Sequence, residues 1–427
     1  MPYQLIAPEQ ELLGAQEDRN PGITVEGEPR FLAGSVHRSW LLWGRSESNS
    51  NRESEAFCTK RRYYFINTEG ITAMKLLRRL IPFSFLAAIL FAACVKGPDQ
   101  SGPGRTGKSG PVRIGFSMDT LKEERWQRDK ALVEQRCKEV GAECEIQVAN
   151  GNDAVQTKQC DNLLTKGVEV LIVAPHNGQI AASIVEAAHR QGVPVISYDR
   201  LIRNSDVDLY VSHQVVKIGQ MQAQYALDHA PKGNYVLIGG SPTDNNALLL
   251  RDGQMQVLKP AIDRGDIKIV TDQFAKEWKA EEALRITEDA LTKSNNNIQA
   301  IVASNDGTAG GAISALPPQL VGKVLVTGQD AALDAVQRIV EGKQTMTIYK
   351  PITPLAFSAV DSAIKLARKE KVETKDKVNN GKIDVPSILQ EPLVLDKNNV
   401  MATAIKDGYH KMEDVYKNVP KDQWPKQ

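Results

Sequence analysis

From Val112 onward, short runs rich in Val, Ile and Leu recur along the chain, each separated from the next by an amphipathic stretch of helical period. VRIGFSM, ECEIQVA, VEVLIVAP, VPVISYD and DLYVSH form a first series. They lack strict in-out alternation, the pattern of strands buried on both faces of a parallel sheet. The stretches between them predict helices: one through Val140, then 153–166 and 179–191. Gly141, Gly167 and Gly192 follow these stretches, where a helix end favours a residue that tolerates left-handed backbone. The cycle restarts with NYVLIGG and a long helix, IKIVTDQ, a helix at 280–293, AIVASND, a helix from Ala309 and VLVTGQD. Two successive βα series predict two α/β lobes with parallel sheets. TMTIYKP, a helix at 354–369 and PLVLDK are too few elements for a third domain, so they are expected to complete the first two sheets.

One apolar run does not belong to this alternation. From Met74 the chain reads MKLLRRLIPFSFLAAILFAAC, with Lys75, Arg78 and Arg79 ahead of an uncharged run of 14 residues at 80–93. A membrane-spanning helix needs about 20 residues, so the order positive, apolar, small is read as a secretory signal at 74–93. Its Ala92-Ala93-Cys94 ending resembles a bacterial lipobox, which would make Cys94 a lipidated N-terminus and anchor the protein to a membrane. Translation is accordingly expected to begin at Met74, with residues 1–73 an extension from an upstream start. Residues 94–111 are rich in Gly, Pro, Ser and charge and cannot bury apolar surface, so they read as a flexible tether.

Composition narrows the function classes. Of 427 residues, 41% are hydrophobic and 25% charged, which excludes wholesale disorder and a polytopic membrane protein. Lys+Arg 53 against Asp+Glu 52 leaves a net charge of +1, so no bulk basic field supports nucleic-acid binding. No phosphate-binding loop or dinucleotide fingerprint is present, and SNDGTAGGAI lacks the required glycine spacing. The six His are scattered without metal-ligand spacing, so neither a metal nor a cofactor is expected. Five Cys include three in the first lobe: Cys160 falls on an apolar helix face as a buried thiol, and a Cys137–Cys144 bridge is left open.

Open α/β sheets bind ligands beyond the carboxyl ends of their strands. Two facing lobes would therefore line a cleft with Lys122, Arg125 and Trp126, Asp199 and Arg200, Asn245 and Asn246, Trp278, Asn305 and Asp306, Asp330, and Lys350. The set is rich in planar, bidentate hydrogen-bonding groups and holds two indoles, but it lacks a nucleophile with its base. That chemistry suits a monosaccharide. Its hydroxyls donate and accept together, and its C–H faces can lie against Trp126 and Trp278.

LKEERWQRD, VANGND, YDRLI, GGSPTDNNA, GQMQVLKP, ASNDGTAGGAI, TGQD, QTMTIYKPIT and NNGKIDVPS carry a resemblance from Val112 to about Tyr409. The chain resembles the periplasmic pentose- and hexose-binding proteins of ABC importers. The resemblance implies the type I periplasmic-binding-protein fold, two Rossmann-like lobes with parallel sheets joined by a three-strand hinge. It implies a first lobe of residues 112–213 plus 351–391 and a second of 214–350 plus 392–427. The implied ligand is a monosaccharide such as D-xylose or a related pentose. Its contacts would come from Arg125, Trp126, Asp199, Arg200, Asn246, Trp278, Asn305, Asp330 and Lys350, with Lys122 beside them. A monomer delivering sugar to an ABC permease and its ATPase subunit, without turnover, follows from the same resemblance. An exported sensor presenting ligand to a receptor kinase or chemoreceptor is the alternative. SHQVVKIG departs from the family pattern, since His213, Gln214, Val215 and Val216 stand near the expected hinge where relatives usually carry acidic or amide residues.

Overall fold

The computed structural model describes residues 110–425. The extension at 1–73, the export signal, Cys94 and nearly all of the tether lie outside the described residues.

Strand β1 (Arg113–Met118) leads through Asp119 into helix α1 (Glu124–Val140), and β2 (Glu143–Val148) into α2 (Asp153–Thr165). Then follow β3 (Val170–Val173), α3 (Ala182–Arg190), β4 (Val195–Tyr198) and β5 (Leu209–His213). The second series runs α4 (Val215–His229), β6 (Gly233–Gly239), α5 (Asn245–Asp263), β7 (Ile267–Phe274) and α6 (Ala280–Ser294). It continues with β8 (Ala300–Ala303), α7 (Asp306–Ala315), β9 (Leu325–Val326), α8 (Leu333–Val340) and β10 (Met346–Tyr349). The chain closes with α9 (Ile352–Ala367), β11 (Asp376–Asn379), β12 (Asp384–Gln390), β13 (Leu393–Asp396) and the short α10 (Met412–Val415).

Seven strands form the first sheet in the order β11-β12-β5-β4-β3-β1-β2, and four form the second in the order β7-β6-β8-β9. Every pairing in them is parallel except β11 with β12, so the α/β reading holds with one antiparallel edge. Helices pack on both faces of the first sheet: α1 and α9 join one core with Phe116, Ile172 and Val211, while α2 and α3 join the other with Leu171, Val173 and Val195. The second sheet is covered in the same way. The chain passes between the lobes at three places: after β5, after β10 and after β12.

Two expectations need correction, and one element was not foreseen. The late strands do not all complete the main sheets, because β13 pairs antiparallel with β10 in a separate two-stranded ribbon. Helix α7 begins at Asp306 rather than Ala309, because Asn305 and Thr308 form a reciprocal capping box that starts the helix before its apolar face begins. The β11–β12 hairpin has no counterpart in the apolar pattern, since β11 is largely exposed and carries one apolar residue. Cys137 and Cys144 form a disulfide that ties the end of α1 to β2. Cys160 is free and buried, with burial pushing its thiol up to about 12.

Candidate functional site

The polar residues that follow strands converge between the lobes, as the carboxyl-end rule requires. Nine of the ten predicted residues line one cavity: Arg125, Trp126, Asp199, Arg200, Asn246, Trp278, Asn305, Asp330 and Lys350. Its unfilled space, mouth included, is about 320 Å³. Lys122 is the exception. Its side chain is 48% exposed at the rim, and Nζ reaches across the cleft to the carbonyl oxygens of Glu277 (3.3 Å) and Trp278 (3.4 Å).

The first-lobe wall is a buried charge network. Arg125 donates to Asp129 through Nε (3.0 Å) and Nη2 (3.2 Å) and to Asp199 Oδ1 through Nη1 (2.5 Å). Arg200 pairs with Asp119 at 2.6 Å and, across the cleft, with Asp244 at 2.9 Å. Lys350 Nζ lies 2.9 Å from Asp330 and 3.5 Å from Asp199, joining the two lobes. Burial alone would raise Asp199, but Arg125 and Lys350 hold its carboxyl well below the usual range, so it remains ionised. Burial raises Asp244, Asp129 and Glu123 above the ordinary carboxylate value, with the nearby guanidinium groups opposing the rise.

Both indoles line the cavity, though not as free platforms. The Arg125 and Arg200 guanidinium carbons lie 4.3 and 5.2 Å from the Trp126 ring centroid, cation–π contacts that fix the ring. Trp278 donates from Nε1 to Asp244 Oδ2 (3.1 Å), and its ring lies so close over Gly240 that a Cβ there would meet it at 2.2 Å. In the second lobe, polar groups double as helix caps. Asn305 Oδ1 accepts from the Thr308 amide, and Asp244 Oδ1 accepts from the Asn246 amide at the start of α5. Asn246 reaches back over the cleft, donating to Asp199 O at 3.0 Å. Asn245 turns away to accept from Arg203.

Three site residues have left-handed backbone: Asp199 (φ 59°), Trp278 (φ 56°) and Asp330 (φ 96°). Such conformations in non-glycine residues cost on the order of 1–3 kcal/mol each and persist where the surroundings over-determine them. The Asp199 carbonyl accepts from Tyr210, Ser212 and Asn246 at 2.9, 2.6 and 3.0 Å, enough to hold the strained turn. At the hinge, His213 Nε2 lies 3.2 Å from Pro351 O, bridging the first two interlobe crossings.

Sequence reasoning missed Glu123, Asp244 and Gln329, which also line the cavity, and Asp119 and Asp129, which hold its arginines. Asp119 and Asp244 stand just beyond β1 and β6, so the strand-end rule applied to every carboxylate would have found them. Glu123 sits in a charged run that looks like a solvated face.

Every cation lining the cavity is already paired, whereas Glu123 Oε2 and Asp330 Oδ1 are buried without a hydrogen bond among the described residues. Lys350 is within ion-pair distance of Asp330 Oδ1 but outside hydrogen-bonding geometry, which leaves that oxygen acceptor capacity. The lining can thus take hydroxyl donors and offers no spare positive charge to an anion. Among the described residues no His, Cys, Asp and Glu group is arranged to hold a metal.

Residues 114–371 match the model of the Periplasmic binding protein domain. A D-xylose-binding periplasmic protein of Haemophilus influenzae is 49% identical, over 71% of this chain and 92% of that protein. The D-xylose-binding periplasmic protein of Escherichia coli is 48% identical over the same shares. Among solved structures, a carbohydrate transporter solute binding protein from Chloroflexus aurantiacus in complex with D-glucose superposes with a TM-score of 0.68 at 33% identity, covering 72% of this chain and 98% of that one.

Proposed function

The chain belongs to the periplasmic binding protein family, and on that premise we propose that it captures a monosaccharide, D-xylose above all, outside the cytoplasm and delivers it to an ABC permease. One observation carries the ligand class: the cavity's cations are spoken for, while the buried Glu123 Oε2 has no hydrogen bond and Asp330 Oδ1 only an ion pair to Lys350. A neutral polyol supplies hydroxyl donors and adds no charge, whereas a phosphate or carboxylate would meet Glu123, Asp199, Asp244 and Asp330 without a free counterion. The names of the two relatives that are nearly half identical add the sugar.

In this reading Arg125, Asp199 and Arg200 contact the sugar from the first lobe. Asn246, Trp278, Asn305, Asp330 and Lys350 contact it from the second, and Trp126 backs the ring. Contacts from both sides favour the closed arrangement, and the permease reads closure. The lobes are taken as 112–213 plus 351–391 and 214–350 plus 392–427, a division supported by membership of the two sheets. The protein acts as a monomer, held at the membrane by a lipid on Cys94 that follows an export signal at 74–93. A mature N-terminus without a lipidated Cys94, read by mass spectrometry, would remove that anchor.

A thermal-shift screen over monosaccharides tests the ligand, since binding to the native state raises the melting temperature by mass action. D-xylose is expected to give the largest rise. A larger rise with a hexose would reassign the sugar, and no rise with any monosaccharide would remove the reading.

A further inference from the structure

Asp330 and Ala331 are consecutive non-glycine residues with left-handed backbone, at φ 96° and 50°. A double strain of this kind needs fixed partners on its exposed groups. One side is pinned by β10, where Asp330 N donates to Ile348 O (2.8 Å) and Ala331 N to Thr347 Oγ1 (3.3 Å). The other side is pinned from far along the chain. The Tyr409 hydroxyl donates to Asp330 O at 3.1 Å, and His410 Nε2 lies 2.7 Å from Ala331 O.

That carbonyl can only accept, so His410 carries its proton on Nε2. Its Nδ1 lies 3.3 Å from Arg128 Nη2, a pure donor, so Nδ1 accepts and the ring is neutral. Arg128 belongs to α1 of the first lobe, and its guanidinium also sits 4.4 Å from the Tyr409 ring centroid. It pairs in turn with Glu124 at 2.6 Å, whose other oxygen accepts from Leu333 N at 2.8 Å, the first residue of α8. Tyr409 stacks edge-on with Tyr349, the neighbour of Lys350, at 5.1 Å. The pair therefore touches the turn that presents Asp330, the strand that presents Lys350 and the facing lobe. Neither residue lines the cavity.

We infer that Tyr409 and His410 are positioning residues: they hold the Asp330 turn in its strained form from behind and receive Arg128 from the first lobe, so that one pair of side chains both sets the second-lobe carboxylate and makes one of the contacts between the lobes. The inference relies on the sugar-site reading of Asp330.

The test uses the full chain, with D-xylose titrated into wild type, Tyr409→Phe, His410→Ala, His410→Gln and Arg128→Met, and the ligand-free unfolding midpoint measured for each. Tyr409→Phe removes one hydroxyl and keeps the ring, and it should weaken affinity about three- to tenfold. His410→Ala should lose a similar factor. His410→Gln, whose amide can still donate to Ala331 O, should recover most of it. Arg128→Met should weaken binding by about threefold, mainly through faster dissociation. The supporting pattern is affinity that falls further than ligand-free stability, with rescue by Gln. If Tyr409→Phe and His410→Ala bind like a wild type that does take up sugar, or if Gln fails to rescue, the inference falls alone. If wild type takes up no monosaccharide, the site reading falls and this inference with it.

Discussion

The two walls of the cleft are built by different physics. In the first lobe, Arg125, Asp129, Tyr198 and Asp199 satisfy one another within a buried network, so Arg125 and Asp199 are fixed chiefly by charge pairing inside their own lobe, with Lys350 and Asn246 adding contacts to Asp199 from the other. In the second, Asp244 and Asn305 are fixed as helix caps, while Trp278 and Asp330 sit on strained turns held by backbone and distant side chains. A buried ion pair fails as a unit when one partner goes, whereas a cap or a turn can lose one hydrogen bond and survive. Damage to the first wall should thus unfold and disarm together, and damage to the second should disarm more than it unfolds.

Arg125→Ala tests the first half with the largest effect. It leaves Asp129 and Asp199 buried without their guanidinium, so sugar binding should vanish and unfolding free energy should drop by about 3–5 kcal/mol, read by urea denaturation. A stable variant that still binds would break the comparison.

The pH response of the hinge histidine and of a buried second-lobe carboxyl differs in sign. His213 at the hinge is pushed down to about 3 by burial and by Lys350, so the folded state stays neutral while the unfolded chain takes up a proton below 6.5. Its contribution is complete above pH 6.5 and is lost as pH falls toward 3. Asp306 in the second lobe is pushed up to about 7, chiefly by burial, against an ordinary 3.8. Its contribution is complete below pH 3.8 and is lost as pH rises toward 7. His213→Gln should flatten the acid limb of the stability profile, and Asp306→Asn the rise in instability toward neutrality. Both limbs moving in the same direction would contradict the assignment.

Asn305→Ala removes the capping box of α7 and should cost about 1 kcal/mol of stability. Its loss of affinity should be proportionally greater, about tenfold, because the same residue faces the cavity. Lys122→Ala should do least. Its ammonium is half exposed and touches only two rim carbonyls, so affinity should change by no more than about threefold and stability hardly at all.

The same contrast explains what could be read from the chain. Strands such as VLIV at β3 are wholly apolar, and glycines close the helices, so both lobes were legible from periodicity. The site was legible where a polar residue directly follows a strand, as at Asp199 and Lys350. It was illegible at Asp129 on α1 and at Glu123, carboxylates in a charged run that look like solvated positions until tertiary packing buries them. Both tryptophans line the cavity expected for them, but nothing in the sequence shows that two guanidinium groups lie over the Trp126 ring. Tyr409 and His410 lie 79 residues beyond the turn they hold, in a segment without periodic signal.

Isothermal titration of D-xylose into the purified protein is the most direct test of the account. Saturable heat at one site per chain with micromolar or tighter affinity is expected, because several charge-assisted hydrogen bonds of about 1.5–3 kcal/mol each exceed the association cost. The absence of heat with D-xylose and equally with arabinose, ribose, glucose and galactose would contradict it.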